Sequence, residues 1–398
     1  MSTFRIGIVT TSRTTNANKI LRGIARYSQL WGPWTLILNN LNDTSSVIAW
    51  TKSLKLDGLF VSSADYKLDH DAITSSLSIP IITMGQKPEN DQIPYIISNS
   101  KEIAKISLQY LMGLNHKNLG VFTLTDYMRD RQRVKLFIKS AHDHGLEVDN
   151  YQDIDKTERS PIINFSSYGE YEDSWQKEIQ KIIKWLKKLP KPVAIFTSYD
   201  TASYVLAQIA SENKMVIPDE ISILGVGNDE TICEISNPTL SSLAMNYETS
   251  GYNAAKFMEE MILGKKQMKK HDIYVEPLNV IERMSTNYCA VQNEDVAKAL
   301  HHIRQNCNNP IQVDQVVKIT TLSRRQLERT FKQVVGRSIN AEISRNRLQK
   351  VADVLTYSET SIEKIAATYG FSTTSYMAQL FKKRYNMTPL AWRKKSRP

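Results

Sequence analysis

Strand signals recur through the first 285 residues of the chain and then stop. Short apolar, β-branched runs alternate there with amphipathic stretches, and that alternation restricts the fold to a parallel sheet covered by helices. Residues 5–10 read as a strand, and residues 19–30 as a helix whose Ile20, Leu21, Ile24 and Tyr27 share one face. Further strands are expected at 57–61, 80–84, 95–97, 119–123, 193–197 and 221–226, with helices near 101–114, 130–144, 172–188, 200–213 and 248–263. Such an array is long enough for two similar α/β lobes with a cleft between them. A polar run at 285–293 follows, and beyond it every segment reads helical. The expected architecture is therefore a two-lobed α/β core over residues 1–285, a linker at 286–293 and an all-α module over 294–398.

Charge divides the chain at the same place. Residues 291–398 carry 19 Lys and Arg against 8 Asp and Glu, whereas residues 1–290 carry 32 against 33. A basic module beside a near-neutral one points to a polyanion as partner for the basic part. The alternative is an ordinary solvated basic surface. Hydrophobic residues make up 41% of the chain, which excludes disorder as its dominant state. No run approaches the roughly 18–20 apolar residues that span a bilayer, and the chain opens on a strand signal rather than a leader. Cys233, Cys289 and Cys307 are odd in number and widely spaced, neither a disulfide framework nor a metal knuckle. A cytoplasmic protein without metal or cofactor is expected.

The basic module contains an internal repeat. Its first copy spans residues 313–332 and its second 362–382, each a short helix, a tight turn and a polar-capped second helix. Gly370 supplies the turn in the second copy and Thr321 in the first, and Thr360 with Glu363 forms a capping-box pattern. Helical spacing turns Leu327, Phe331 and Val334 inward, leaving Arg325, Glu328, Arg329 and Lys332 on the other face beside Arg324. In the second copy Met377, Leu380 and Phe381 face in, while Thr374, Ser375, Ala378, Gln379 and Lys382 face out. Arg, Gln and Ser or Thr along a short helix suit base edges in a major groove, with Lys on phosphates. One such helix is often just a charged solvent face. Two copies about 50 residues apart in a basic segment make double-stranded DNA the expected partner, with a joining helix of about 15 residues between the units.

Residues 294–396 resemble the AraC-type DNA-binding domain. The likeness rests on Arg347-Leu-Gln-Lys-Val-Ala-Asp-Val-Leu355, Ile365-Ala366, Gly370-Phe371, Ser375-Tyr376, Phe381-Lys-Lys383, Thr388-Pro389 and Trp392-Arg393. Met377, Asn386 and Trp392 depart from the usual Phe, Gly and Tyr, changes that keep burial or tolerate a left-handed turn. The first 285 residues resemble the ligand-binding core of LacI-type repressors, itself similar to periplasmic sugar-binding proteins. Matching stretches are Leu56-Asp-Gly-Leu-Phe60, Ile79-Pro-Ile-Ile82, Ile217 to Val226, Pro238-Thr-Leu-Ser-Ser-Leu243 and Val280 to Thr286. LacI-type chains place their helix-turn-helix before the core, whereas here the DNA reader follows it. A LacI-like core followed by an AraC-like domain is the arrangement of regulators of xylose operons.

That resemblance implies a ligand-switched transcription regulator of a carbohydrate operon, an activator that engages RNA polymerase and dimerises through its core. It implies ligand contacts at Thr11, Ser12 and Arg13 after the first strand, at Arg133, at Tyr199 and Asp200, at Asn228 and Asp229, and at Tyr247. An arginine fork suits sugar hydroxyls, and an aromatic ring can stack on a sugar. Arg133 would serve equally well in a salt bridge at a helix start. The chain has Ser98-Asn99 where sugar binders often have Asp-Asn, and Gly227 where they have Asp. Losing two acceptors points to a shifted or different ligand, with xylose one candidate among small molecules.

Enzyme motifs are missing. Gly225-Val-Gly227 lacks the third glycine of a dinucleotide fingerprint, and the chain has no phosphate loop, zinc-protease helix or nucleophile elbow. His142 and His144 lie at a helix end, where cations are favoured. Binding without catalysis is expected. The competing possibilities are a solute-binding protein whose basic tail meets nucleic acid incidentally, and a regulator answering to a non-sugar ligand.

Overall fold

The computed structural model describes residues 3–10, 15–32, 34–62, 68–84, 93–114, 116, 118–124, 128–151, 172–269, 271–286, 293–306, 310–358, 360–385 and 387–396. Thr11, Ser12, Arg13, Asn386, Cys289, Cys307 and linker positions 287–292 fall outside them. The chain divides into two compact units, Met1–Tyr288 and Cys289–Pro398.

The first unit holds two sheets, each with six strands among the described residues. One contains β1 (Phe4–Val9), β2 (Trp34–Asn39), β3 (Gly58–Ser62), β4 (Ile81–Met84), β5 (Tyr95–Ser98) and β11 (Asp272–Val275), all parallel, in the order β11-β5-β4-β3-β1-β2. The other contains β6 (Asn118–Phe122), β7 (Val148–Asn150), β8 (Val193–Thr197), β9 (Ile221–Gly227), β10 (Ser241–Met245) and β12 (Pro277–Ile281), in the order β12-β10-β9-β8-β6-β7. Only the β10–β12 pairing there is antiparallel. Helices on both faces explain why β3, β8 and β9 are buried at every residue and read as unbroken apolar runs. Strand and helix expectations were met within a few residues. The strands β2, β7, β10, β11 and β12 carried no recognised signal.

Helices α1 (Thr15–Trp31), α2 (Thr44–Ser53) and α3 (His70–Ser76) belong to the first lobe, and α5 (Met128–Asp143), α6 (Glu172–Lys188), α7 (Asp200–Glu212) and α8 (Glu230–Ile235) to the second. The chain crosses between lobes through α4 (Ser100–Gly113), through α9 (Tyr247–Ile262), and at Glu276 between β11 and β12. The three crossings are tied together. Asn99 N–H donates to the Val275 carbonyl (3.1 Å), Asn246 N–H donates to the Glu276 carbonyl (2.8 Å), and Asn99 Nδ2 donates to both Glu276 carboxylate oxygens (2.9 and 3.2 Å). Ser285 and Thr286 are buried in this unit, where Ser285 Oγ donates to the Ile223 carbonyl at 2.6 Å. The core thus holds Thr286, the first position of the expected linker.

The second unit is helical throughout its described residues. It comprises α10 (Glu294–Gln305), α11 (Val313–Lys318), α12 (Arg324–Val335), α13 (Ile339–Tyr357), α14 (Ile362–Thr368), α15 (Thr374–Tyr385) and α16 (Pro389–Ser396). Two small apolar cores share α13. Its Ile339 and Ile343 join Val316, Leu327 and Phe331 of the first half. Its Leu348, Val351 and Leu355 join Ile365, Met377 and Phe381 of the second. At 19 residues, or roughly 28 Å, α13 is longer than the expected 15.

Candidate functional site

In the core, the site is built at the carboxyl end of β8 and β9. Asp200 opens α7 and is 3% exposed. Its Oδ1 accepts from Ser242 Oγ (2.5 Å) and its Oδ2 from Asp229 N–H (2.7 Å). Burial pushes the carboxyl up to about 6, while those two hydrogen bonds hold it down from going further. The β9–α8 turn passes over it. Gly227 has φ +124°, and a Cβ there would lie 2.8 Å from Asn16 Nδ2 and 3.2 Å from Asp200 Oδ2. No aspartate fits at that position with this backbone, which is a physical reason for the glycine.

The neighbouring side chains converge on this turn. Tyr247 OH lies 3.7 Å from the same Cβ point. Asn228 Oδ1 accepts from Arg283 Nη1 (2.9 Å), so its amide is held from within the second lobe. Asp229 caps α8 and accepts from Thr15 Oγ1 of the first lobe at 3.0 Å. Lys19 of α1 reaches Glu230 at 3.5 Å. Asn16, between them, presents an Oδ1 that is shielded from solvent and has no hydrogen-bond partner among the described residues.

Arg133 also spans the lobes. It is 2% exposed, and donates through Nη1 to the Ser198 carbonyl (2.6 Å) and through Nη2 to Ser98 Oγ of the first lobe (2.8 Å). Ser98, where sugar binders often have an aspartate, therefore acts as an acceptor for that arginine. Tyr199, the residue between Ser198 and Asp200, packs partly buried against the second-lobe core. The structure thus gathers Asp200, Asn228, Asp229 and Tyr247 around Gly227, with Arg133 and Tyr199 joined through Ser198. Sequence reasoning missed Ser242, Arg283, Thr15, Asn16 and Lys19, because contacts across 42 to more than 200 residues of chain leave no local pattern.

In the second unit, α12 and α15 present the expected outer faces. Arg325, Glu328, Arg329 and Lys332 are exposed, as are Ser375, Gln379 and Lys382, while Thr374 and Ala378 are half-buried. Arg324 is engaged on the surface, with Asp314 at 2.7 Å and Glu328 at 3.1 Å. Leu327 and Phe331 are buried together with Val335, and Val334 packs partly buried against the same apolar core. One local expectation needs correction. The cap of α14 is Ser361, whose Oγ accepts from Lys364 N–H (3.2 Å), not Thr360. Thr321 donates its N–H and hydroxyl to Asp295, and Gly370 turns at φ +67°. Ser323 and Gln326 form a reciprocal capping box at the start of α12.

Glu342 lies at the base of this unit, fully buried, and pairs with Arg337 and with Arg345 (3.1 Å). Burial alone would raise its pKa, but Arg345 and Arg337 outweigh it and lower the group to about 2. Among the described residues no cluster of His, Cys, Asp and Glu could hold a metal ion, and no helix is long and apolar enough to cross a membrane.

A periplasmic binding protein-like domain matches residues 108–286, and a helix-turn-helix domain matches residues 316–395. The Xylose operon regulatory protein of Haemophilus influenzae is 26% identical over 390 residues, 95% of this chain and 96% of its own. The protein of the same name from Escherichia coli K12 is 33% identical over 221 residues, 56% of each chain. A solved structure of the xylose-binding transcription activator XylR superposes with a TM-score of 0.73 at 23% identity, covering 100% of both chains. The chain thus combines a periplasmic binding protein-like domain with a helix-turn-helix domain that follows it, and over nearly its whole length it is similar to XylR-like DNA-binding transcription regulators.

Proposed function

We propose that the cleft of the core binds a sugar, with xylose the leading candidate, and that this switches transcription of a carbohydrate catabolic operon in the cytoplasm. The observation that carries it is the polar convergence at Gly227, where Asn16 Nδ2 from one lobe and Asp200 Oδ2 from the other lie 2.8 and 3.2 Å from the point a Cβ would occupy. Vicinal hydroxyls can donate to the carboxylate and accept from the amide, Arg133 supplies further donors, and Tyr247 offers a ring to stack on. Thr11, Ser12, Arg13, Tyr199, Asn228 and Asp229 complete the proposed binding set. The names of the Haemophilus and Escherichia relatives support xylose over other sugars.

On the DNA side, α12 and α15 enter successive major grooves. Arg325, Arg329, Ser375 and Gln379 read base edges with Thr374 and Ala378 beside them, and Lys332 and Lys382 hold phosphates. Arg324 and Glu328 orient the first helix through their surface ion pairs. The regulator acts as a homodimer joined through its core and as an activator that engages RNA polymerase. Ligand binding selects one of two lobe arrangements, and that population shift repositions the DNA readers.

The test is a thermal-shift screen of pentoses, hexoses, uronic acids and nucleosides against the full chain and its Arg133→Ala and Asn16→Ala variants. A ligand selective for the folded core raises its melting temperature by mass action. D-xylose is expected to stabilise the wild type and neither variant. Stabilisation by nucleosides alone, or equal shifts in all three proteins, would overturn the assignment.

A further inference from the structure

Arg347 lies midway along α13 and is only 6% exposed. Its Nη2 donates to the Ile311 carbonyl at 2.5 Å and its Nη1 to the Gly370 carbonyl at 3.0 Å. Ile311 lies just before Gln312, the N-cap of α11, and Gly370 forms the turn between α14 and α15. One planar fork therefore holds the entry of the first helix-turn-helix unit and the turn of the second. The same two places also touch directly, since a Cβ on Gly370 would lie 2.5 Å from Pro310 Cβ.

Filling space does not account for this residue. A buried guanidinium bound to carbonyls costs desolvation that a leucine or methionine avoids. Its Nε is buried without a hydrogen-bond partner, and among the described residues it has no ion pair. The two apolar cores meet α13 at separate stretches, so apolar packing among the described residues relates the two units only through that helix and the single Pro310–Gly370 contact. The fork supplies a further cross-link, and its planarity makes the link directional.

We propose that Arg347 is a positioning residue that locks the phase between α12 and α15, so that the chain accepts its two recognised DNA segments at one spacing. The inference rests on both helices reading DNA. One base pair of B-DNA adds about 3.4 Å and about 35° between segments, so a locked phase appears as a sharp spacing preference.

The experiment is selection from a random duplex library by the full chain, followed by sequencing, repeated with Arg347→Met and with the milder Arg347→Lys. The wild type should enrich two groove-sized motifs at a single spacing. Both variants should enrich the same two motifs over spacings spread by several base pairs. In direct titrations, shifting the spacing by one base pair should cost the wild type roughly tenfold in affinity and the variants less than about threefold. Arg347→Lys keeps the charge and a donor nitrogen but not the planar fork, so it reports even where Arg347→Met fails to fold. A single unchanged spacing for Arg347→Lys, or weaker binding at every spacing alike, overturns the role of Arg347. A single motif for the wild type would instead overturn the two-helix mode of reading.

Discussion

The two units of this regulator each join two similar halves, and they do so in opposite ways. In the core, the lobes are linked by three chain crossings tied at Asn99, Asn246 and Glu276, and meet elsewhere through polar contacts such as Thr15 with Asp229 and Arg133 with Ser98. In the DNA-binding unit, one continuous 19-residue helix serves both halves, and a buried arginine bridges them from within. Polar contacts at a cleft can exchange with water or ligand hydroxyls at little net cost. A buried charge exchanges less readily; Arg347 is the one that joins the reader halves, while in the core Arg133 on Ser98 is buried and Thr15 on Asp229 only partly so. Under the proposed function, the core changes its lobe arrangement and the reader keeps its own.

The most damaging single change is expected at Glu342, the buried anion between Arg337 and Arg345. Glu342→Gln should destabilise the DNA-binding unit by up to about 3 kcal/mol, because it removes the buried carboxylate that the partly exposed Arg337 and Arg345 share. Calorimetry should show the loss in the helical unit with the core transition unmoved. A loss under about 1 kcal/mol would mean that the reader's rigidity has another source.

Next in size are the reading side chains. Arg325→Ala and Arg329→Ala should each weaken operator binding by roughly 1–3 kcal/mol and relax sequence preference. Lys332→Ala should weaken specific and random DNA alike and lower the salt slope by about one. Equal loss of specific and random affinity in Arg325→Ala would remove it from base reading.

The two units should also respond to acid with opposite signs. Asp200 ionises near 6 in the folded core, above its unfolded value, so its contribution rises as pH falls through 6 towards about 4. Between pH 7 and 5 this amounts to about 1 kcal/mol, measured as the difference between wild type and Asp200→Asn. Glu342 is depressed to about 2, so its stabilisation is complete above about 4.5 and is lost as pH falls through 2. A core difference that falls with acid would show Asp200 to be ionised more readily when folded than when unfolded.

The smallest effect belongs to the Lys19–Glu230 contact across the lobes, whose Glu230 side chain is 59% exposed. Glu230→Gln should change core stability by about 0–1 kcal/mol, and less at high salt. A larger cost would count against a freely moving cleft.

Much of the fold was legible because parallel strands buried on both faces must be written in apolar, β-branched residues, as in Val193–Thr197. The missed strands break that pattern for physical reasons. β2 is an edge strand with three half-buried and two exposed residues, and β10 buries two serines that hydrogen-bond to Asp200, Arg283 and Ser285. Reading helices were legible from the 3.6-residue period, whereas caps slipped by one residue because Thr360 and Ser361 offer the same chemistry. At the candidate ligand site, the family resemblance pointed to Asp200, Asn228 and Asp229, which follow two different strands, β8 and β9. Asn16 and Ser98 needed the fold, since only tertiary structure sets them against Gly227 and Arg133.

The contrast between a moving core and a fixed reader can be measured directly with paired spin labels in the full chain. One pair would join Ser75→Cys and Gln208→Cys on the two lobes, the other Gln333→Cys and Lys383→Cys on the two reader halves, with the native cysteines replaced. We expect saturating D-xylose to shift the lobe-to-lobe distance distribution while the reader pair keeps one narrow, unchanged distance. A reader distance that broadens or moves with sugar, with the lobes unmoved, would contradict it.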